Sequence, residues 1–98
     1  MKDSKYKYEV IVVLNPKAES KEKEKTIKMV EDKISGLDFE VEKREDMGSK
    51  TLNYQIKGQE KGDFRVFYIG GNKPIKSKEF KLFLNRETNI IRYLILKI

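Results

Sequence analysis

Chemistry in this 98-residue chain falls to lysine, arginine, tyrosine and the carboxylates, because it contains neither histidine nor cysteine. Without histidine the commonest general base near neutral pH is missing. Without cysteine there is no thiolate nucleophile, no thiolate metal site and no disulfide framework. No G-x-S-x-G turn offers a serine nucleophile either. The acidic pairs Glu31-Asp32 and Glu45-Asp46 are adjacent in sequence and interleaved with lysine, which reads as solvated charge rather than a cation site. The run Gly70-Gly71-Asn72-Lys73-Pro74 does not meet the phosphate-loop pattern G-x-x-x-x-G-K-[ST]. An arginine in a glycine-rich phosphate cradle is absent from "NPKAES" at 15–20. What is left is the chemistry of cations toward phosphate and of tyrosine toward bases and amides. The sequence therefore predicts no enzyme, no cofactor and no metal.

The cations are unevenly spread. Residues 1–46 hold 11 basic and 12 acidic side chains, whereas residues 47–98 hold 11 basic and 4 acidic. The whole basic excess thus lies in the second half, which suggests a surface for a polyanion. Within that half, "GSKTLNYQIKGQEKG" at 48–62 sets an alternating strand, Thr51 to Ile56, between glycines and lysines.

A single domain over residues 1–98 must position these groups, since the chain is too short for two cores. No apolar run approaches the roughly 18 residues of a membrane span, and "MKDSKYKYEV" lacks the apolar segment of a signal peptide. A cytosolic protein is expected. "YKYEVIVVL" at 6–14 is rich in β-branched and aromatic residues and predicts a strand ended by Asn15-Pro16. Ile27, Val30 and Ile34 share one face of a helix, with Ser20 as N-cap and Gly36 as its C′ residue. From Asp38 the period returns to two, and that strand is predicted to run on to Ile56, bent near Gly48. "KGQEKG" at 57–62 reads as a turn, 63–69 as a strand, 76–84 as a helix and 89–98 as a last strand.

The order β-α-β-β-α-β predicts an α+β, ferredoxin-like (split βαβ) fold, a four-stranded antiparallel sheet with two helices on one face. Right-handed crossovers put the first and third strands at its centre. Strand parity assigns Val10, Val12, Leu14, Phe67, Ile69, Tyr93 and Ile95 to the helix side. It sends Glu9, Ile11, Val13, Phe64, Val66, Tyr68, Arg92, Leu94 and Leu96 to the uncovered side, because Glu9 and Arg92 are costly to bury. An open face so apolar suggests docking of a protein partner through Phe64, Val66, Tyr68, Leu94 and Leu96. Stacking of single-stranded RNA in the manner of an RNA-recognition motif is disfavoured, because "DFRVFYI" at 63–69 lacks the needed aromatic pattern.

Three segments also carry a family resemblance. "YEVIVVLNP" at 8–16, "GSKTLNYQIKGQEKGDF" at 48–64 and "NIIRYLILK" at 89–97 resemble the bacterial small-subunit ribosomal protein S6 family, in order and in spacing. Within that pattern Asn53 stands where alanine is usual, Gln55 where proline is usual, and Arg86 where an apolar residue is usual. The resemblance implies a cytoplasmic, structural constituent of the ribosome that binds the central domain of small-subunit rRNA as a heterodimer with ribosomal protein S18. It further points to Lys7, Tyr8, Lys50, Tyr54 and Arg92 as RNA contacts. The competing reading is a ferredoxin-like interaction or ligand-sensing module that self-associates through its open face.

Overall fold

In a computed structural model of the chain, residues 4–56 and 59–98 are described, as are their side chains except those of 53–56 and 59. Alternation in the first strand sets the architecture. In β1 (Tyr6–Leu14), Val10, Val12 and Leu14 are completely buried on one side. Helix α1 (Ser20–Gly36) lays Val30 and Ile34 on that side, and Thr26 is buried beside them. The chain continues through β2 (Glu40–Ile56), β3 (Gln59–Gly71), α2 (Ser77–Arg86) and β4 (Ile90–Lys97). The sheet order is β2-β3-β1-β4, with every neighbouring pair antiparallel.

One core lies between sheet and helices. Val10, Val12, Leu14, Phe67 and Ile69 meet Val30, Ile34, Phe80 and Leu84 there, closed off by Phe39, Ile75 and Ile90. Tyr93, Ile95 and Ile27 pack against its margin. Each fully buried side chain of this size contributes about 1.5–3 kcal/mol over leaving it in water.

Four local expectations need correction. Helix α1 is preceded by Glu19, not Ser20, at the N-cap, and no side chain caps it. Gly36 is the last helical residue, and the left-handed residue is Asp38, at φ 65°. Asp38 N–H donates to Ser35 O and Phe39 N–H to Ile34 O, at 3.0 and 3.1 Å. That is the paired bonding of a Schellman ending, with Phe39 returning to Ile34 in the core. Third, the glycine-lysine run before Asp63 is not all turn, because β3 begins at Gln59. Gly62 is buried inside the strand, and a Cβ there would collide with Val13 Cγ1. Close packing, not a turn, requires glycine at that point. Fourth, α2 spans Ser77–Arg86, starting and ending slightly later than 76–84.

The bend expected near Gly48 is present. Gly48 has φ 74°, its N–H donates to Asp46 Oδ1 at 3.0 Å, and the β2–β3 register shifts between Asp46 and Gly48. Beyond it β2 and β3 pair only with each other, Lys50 with Gly62 and Thr51 with Lys61, because β1 ends opposite Asp63. The hairpin therefore projects past the sheet as a two-stranded arm.

Candidate nucleic-acid and protein interface

Registers across the sheet define the face that no described helix covers. One row runs Gly48–Phe64–Val13–Arg92, the next Glu45–Val66–Ile11–Leu94, and the third Lys43–Tyr68–Glu9–Leu96. Its β2 side is polar. Tyr68 donates its hydroxyl proton to Glu45 Oε1 at 2.9 Å, and Lys43 Nζ stands 5.7 Å from the Tyr68 ring centre. The hydrogen bond to Glu45 first, then burial and the charges of Glu45 and Glu9, push the phenol above its ordinary value, so it stays a neutral donor. Apart from Arg92, the β4 side is apolar. Leu94 and Leu96 are 45% and 44% exposed.

The predicted partner residues are thus not equivalent. Leu94 and Leu96 are open to solvent, whereas Phe64 and Tyr68 are half-buried. Val66 is only 5% exposed, and its neighbour Val13 only 2%. Both belong to the uncovered face by parity, yet the chain covers them itself. Val13, Phe64 and Leu52 crowd against Gly62, where the arm begins.

The predicted RNA contacts are divided between the two ends of the sheet. Lys7 lies at one end, its ammonium 4.0 Å from Glu42. Lys50 lies on the arm, exposed, opposite Gly62. The β3 partners of Lys7 and Lys50, Gly70 and Gly62, are eight residues apart, or about 26 Å at strand rise. Arg92 is exposed opposite Val13, toward the Lys50 end. Tyr8 sits on the helix side: its hydroxyl accepts the Ile75 N–H at 3.4 Å, and its ring stands 5.7 Å from that of Phe39. Tyr54 is part of β2, and its side chain lies outside the described ones.

Sequence reasoning missed one charged cluster. Asp63 is buried on the helix side, where Lys23 Nζ approaches it to 3.2 Å. Arg65 Nε and Nη2 donate to its two oxygens at 3.2 and 3.3 Å. Arg65 also reaches Asp46 at 3.3 Å and Glu24 at 3.8 Å. Burial is the largest single influence on Asp63 and opposes its charge. The hydrogen bonds and charges of Arg65 and Lys23 together outweigh it and hold the carboxyl below its ordinary value. The signal was available, since 63 and 65 share the parity of Phe67 and Ile69. Two opposite charges at i and i+2 under a helix are neighbours on one face. The cluster ties α1 to β3 and removes Arg65 from the cations free to meet a ligand.

Among the described residues, no three acidic side chains gather as a metal site, and no helix is long and apolar enough to cross a membrane.

Comparison with known proteins identifies the scaffold. A family described as ribosomal protein S6 matches residues 7–97. The chain belongs to that family. Curated relatives include small ribosomal subunit protein bS6 of Christiangramia forsetii, 29% identical over 92 residues, covering 93% of this chain and 80% of that one. The same-named proteins of a Sulfurovum species and of Campylobacter lari are also 29% identical, covering 92% of this chain and 70% and 72% of theirs. The crystal structure of 30S ribosomal protein S6 from Thermotoga maritima superposes with a TM-score of 0.87 at 24% identity, over 95% of this chain and 87% of that one. The fold is accordingly that of S6, ferredoxin-like, and this S6-family chain is a structural protein of the small ribosomal subunit rather than an enzyme.

Proposed function

We propose that this chain binds the central domain of small-subunit rRNA as one half of a heterodimer with ribosomal protein S18, docking that partner on the open sheet face. The observation that carries the reading is the β4 side of that face. In a chain of this family, Leu94 and Leu96 lie side by side on one strand face, exposed, next to Ile11. Covering each such side chain yields on the order of 1.5–3 kcal/mol before ordering costs. A charged, hydrated RNA backbone cannot supply that, whereas a protein surface can. Lys7, Lys50 and Arg92 then act at the margins, neutralising phosphates and fixing orientation rather than reading sequence.

The test is reconstitution with purified S18 and rRNA. Leu94→Asp is expected to abolish the heterodimer while the monomer stays folded. Lys50→Ala with Arg92→Ala is expected to weaken RNA binding and reduce its salt slope by roughly 0.9 per lost duplex phosphate contact. A Leu94→Asp chain that still pairs normally defeats the docking assignment. Sedimentation of the chain alone as a dimer would favour self-association instead.

A further inference from the structure

The basic excess of the second half is not confined to the sheet. Five of its cations, Lys73, Lys76, Lys78, Lys81 and Arg86, lie on α2 and the loop leading into it, and all five are exposed. The only acid between 72 and 86 is Glu79, and Lys33 of α1 already holds it at 2.7 Å. That contact, strengthened by its hydrogen bond, holds the Glu79 carboxyl below its ordinary value, so it stays ionised and engaged. None of the five cations has an ion-pair partner within 4 Å among the described residues.

Helix α1 is the internal contrast. Its Lys23 and Lys33 hold Asp63 and Glu79, while its Glu24 and Glu31 hold Arg65 and Arg44. Four of its nine charges join elements, and the others, Lys21, Lys25 and Lys28 with Glu22 and Asp32, are of mixed sign, so the helix carries almost no net charge. On α2, Phe80 and Leu84 face the core, so the opposite stripe presents Lys78, Lys81, Leu82 and Arg86 to solvent, with Leu82 51% exposed. Lys78 and Lys81, at i and i+3, stand about 5–6 Å apart at Cβ and repel each other in the free protein. Unlike α1, α2 and its loop thus carry five cations against one engaged acid, an unbalanced positive surface that favours an anionic partner.

We propose that the exposed stripe of α2 is a second rRNA-binding surface, on the opposite side of the molecule from the open sheet face, with Lys78 and Lys81 contacting backbone phosphates. The inference rests on the rRNA-binding reading above and extends it to a separate surface. A membrane is the poorer occupant, because an interfacial helix turns its apolar face outward and this one buries it. Phosphate is the prevailing anion in the subunit to which this family belongs. The placement lets the chain hold RNA behind its helices while a protein occupies its open face, so the two contacts do not compete.

The experiment compares the full chain with its Lys78→Gln/Lys81→Gln variant, each paired with purified S18, on purified small-subunit rRNA, from about 50 to 200 mM salt. The variant is expected to show a log–log salt slope shallower by about 1.4–1.8 units, for two single-strand or duplex phosphate contacts. Its thermal midpoint should be unchanged or higher, since a repulsion has been removed. In assembled small subunits, lysine-directed acetylation should spare Lys78 and Lys81 several-fold relative to Lys25 and Lys28 of α1. A wild-type slope in the variant overturns this proposal alone, as does equal acetylation of the two helices. Binding to anionic phospholipid vesicles that depends on Lys78 and Lys81, with the RNA slope unaltered, overturns it in favour of a membrane. A wild-type pair with S18 that fails to bind the rRNA at any salt overturns the parent reading, and this one with it.

Discussion

The two faces of the one sheet are made by the same strands with the same alternation, yet they differ in what finishes them. On the helix side, Val10, Val12, Leu14, Phe67 and Ile69 are closed over by α1 and α2, and every one is within a few per cent of complete burial. On the other side, Leu94 and Leu96 are left open and Ile11, Phe64 and Tyr68 half-buried, while Val13, against Gly62 of the arm, and Val66 are buried. Two helices can cover one face of four strands. The difference therefore lies in topology, not in residue type, and it separates positions that hold the fold from positions available for assembly.

The sharpest way to break that comparison is to truncate one large residue on each face. Phe80→Ala should cost about 3–5 kcal/mol, because it empties the middle of the core. Leu96→Ala should change the stability of the isolated chain by no more than about 0.5 kcal/mol, while weakening the heterodimer proposed above. Urea unfolding of both variants checks the pair. Equal losses would mean that the open face is part of the folding core.

Charge sharpens the same contrast, because the helix side holds a buried carboxylate, Asp63, in a clamp. Asp63→Asn leaves Arg65 and Lys23 facing a neutral group, and should cost about 1.5–3 kcal/mol at neutral pH. The sign follows from the folded value, which is lowered. The contribution is full above the ordinary carboxylate value of about 4. It is lost as pH falls through the lower folded value, once Asp63 is protonated in both states. The gap between wild type and variant should therefore close in acid. A gap that stays constant from neutral pH down to about pH 2 would show that packing, not ionisation, is responsible.

The arm supplies the next test, since it is where the open face is partly closed. Gly62→Ala drives a methyl group into Val13 Cγ1 and should cost about 1–3 kcal/mol by overpacking. Val13→Ala in the same chain should return part of that loss, whereas Val13→Ala alone should destabilise. A neutral Gly62→Ala would mean that the arm does not press on the sheet.

Much of this was legible from residue order. Nine residues of β1, both helices, the bend at Gly48 and the face parity follow from periodicity and glycine placement, because those signals are local and dense. The burial of Val13 and Val66 was not legible. For Val13 it depends on how closely Gly62 of a neighbouring strand approaches, which no single segment encodes. Tyr8 carries the family motif beside Lys7, yet alternation sends the two to opposite faces, so a motif in sequence is not one patch in space. The Asp63–Arg65 pair was hidden for another reason. Counted as free surface charge, Arg65 inflated the apparent basic surface, and only its ion pairs with Asp63 and with Glu24 of α1 show it to be spent.

The smallest expected effect bears on how α1 is fastened to the closed face. Glycine near a helix end suggests the left-handed C′ residue, and by that rule Gly36→Ala would be destabilising. The structure assigns the left-handed conformation to Asp38 instead, while Gly36 remains helical with open space around its Cα. Alanine at 36 therefore meets no clash and gains helix propensity, so Gly36→Ala should stabilise by about 0.5–1 kcal/mol. Asp38→Ala should do the reverse by about 1 kcal/mol, because alanine tolerates positive φ less well than aspartate. Asp38→Gly should be neutral to slightly favourable, since relief of strain is offset by a freer unfolded chain. Thermal unfolding of the three variants decides the matter. Destabilisation by Gly36→Ala together with neutrality of Asp38→Ala would move the turn back two residues, and would take Phe39 out of register with Ile34 in the core.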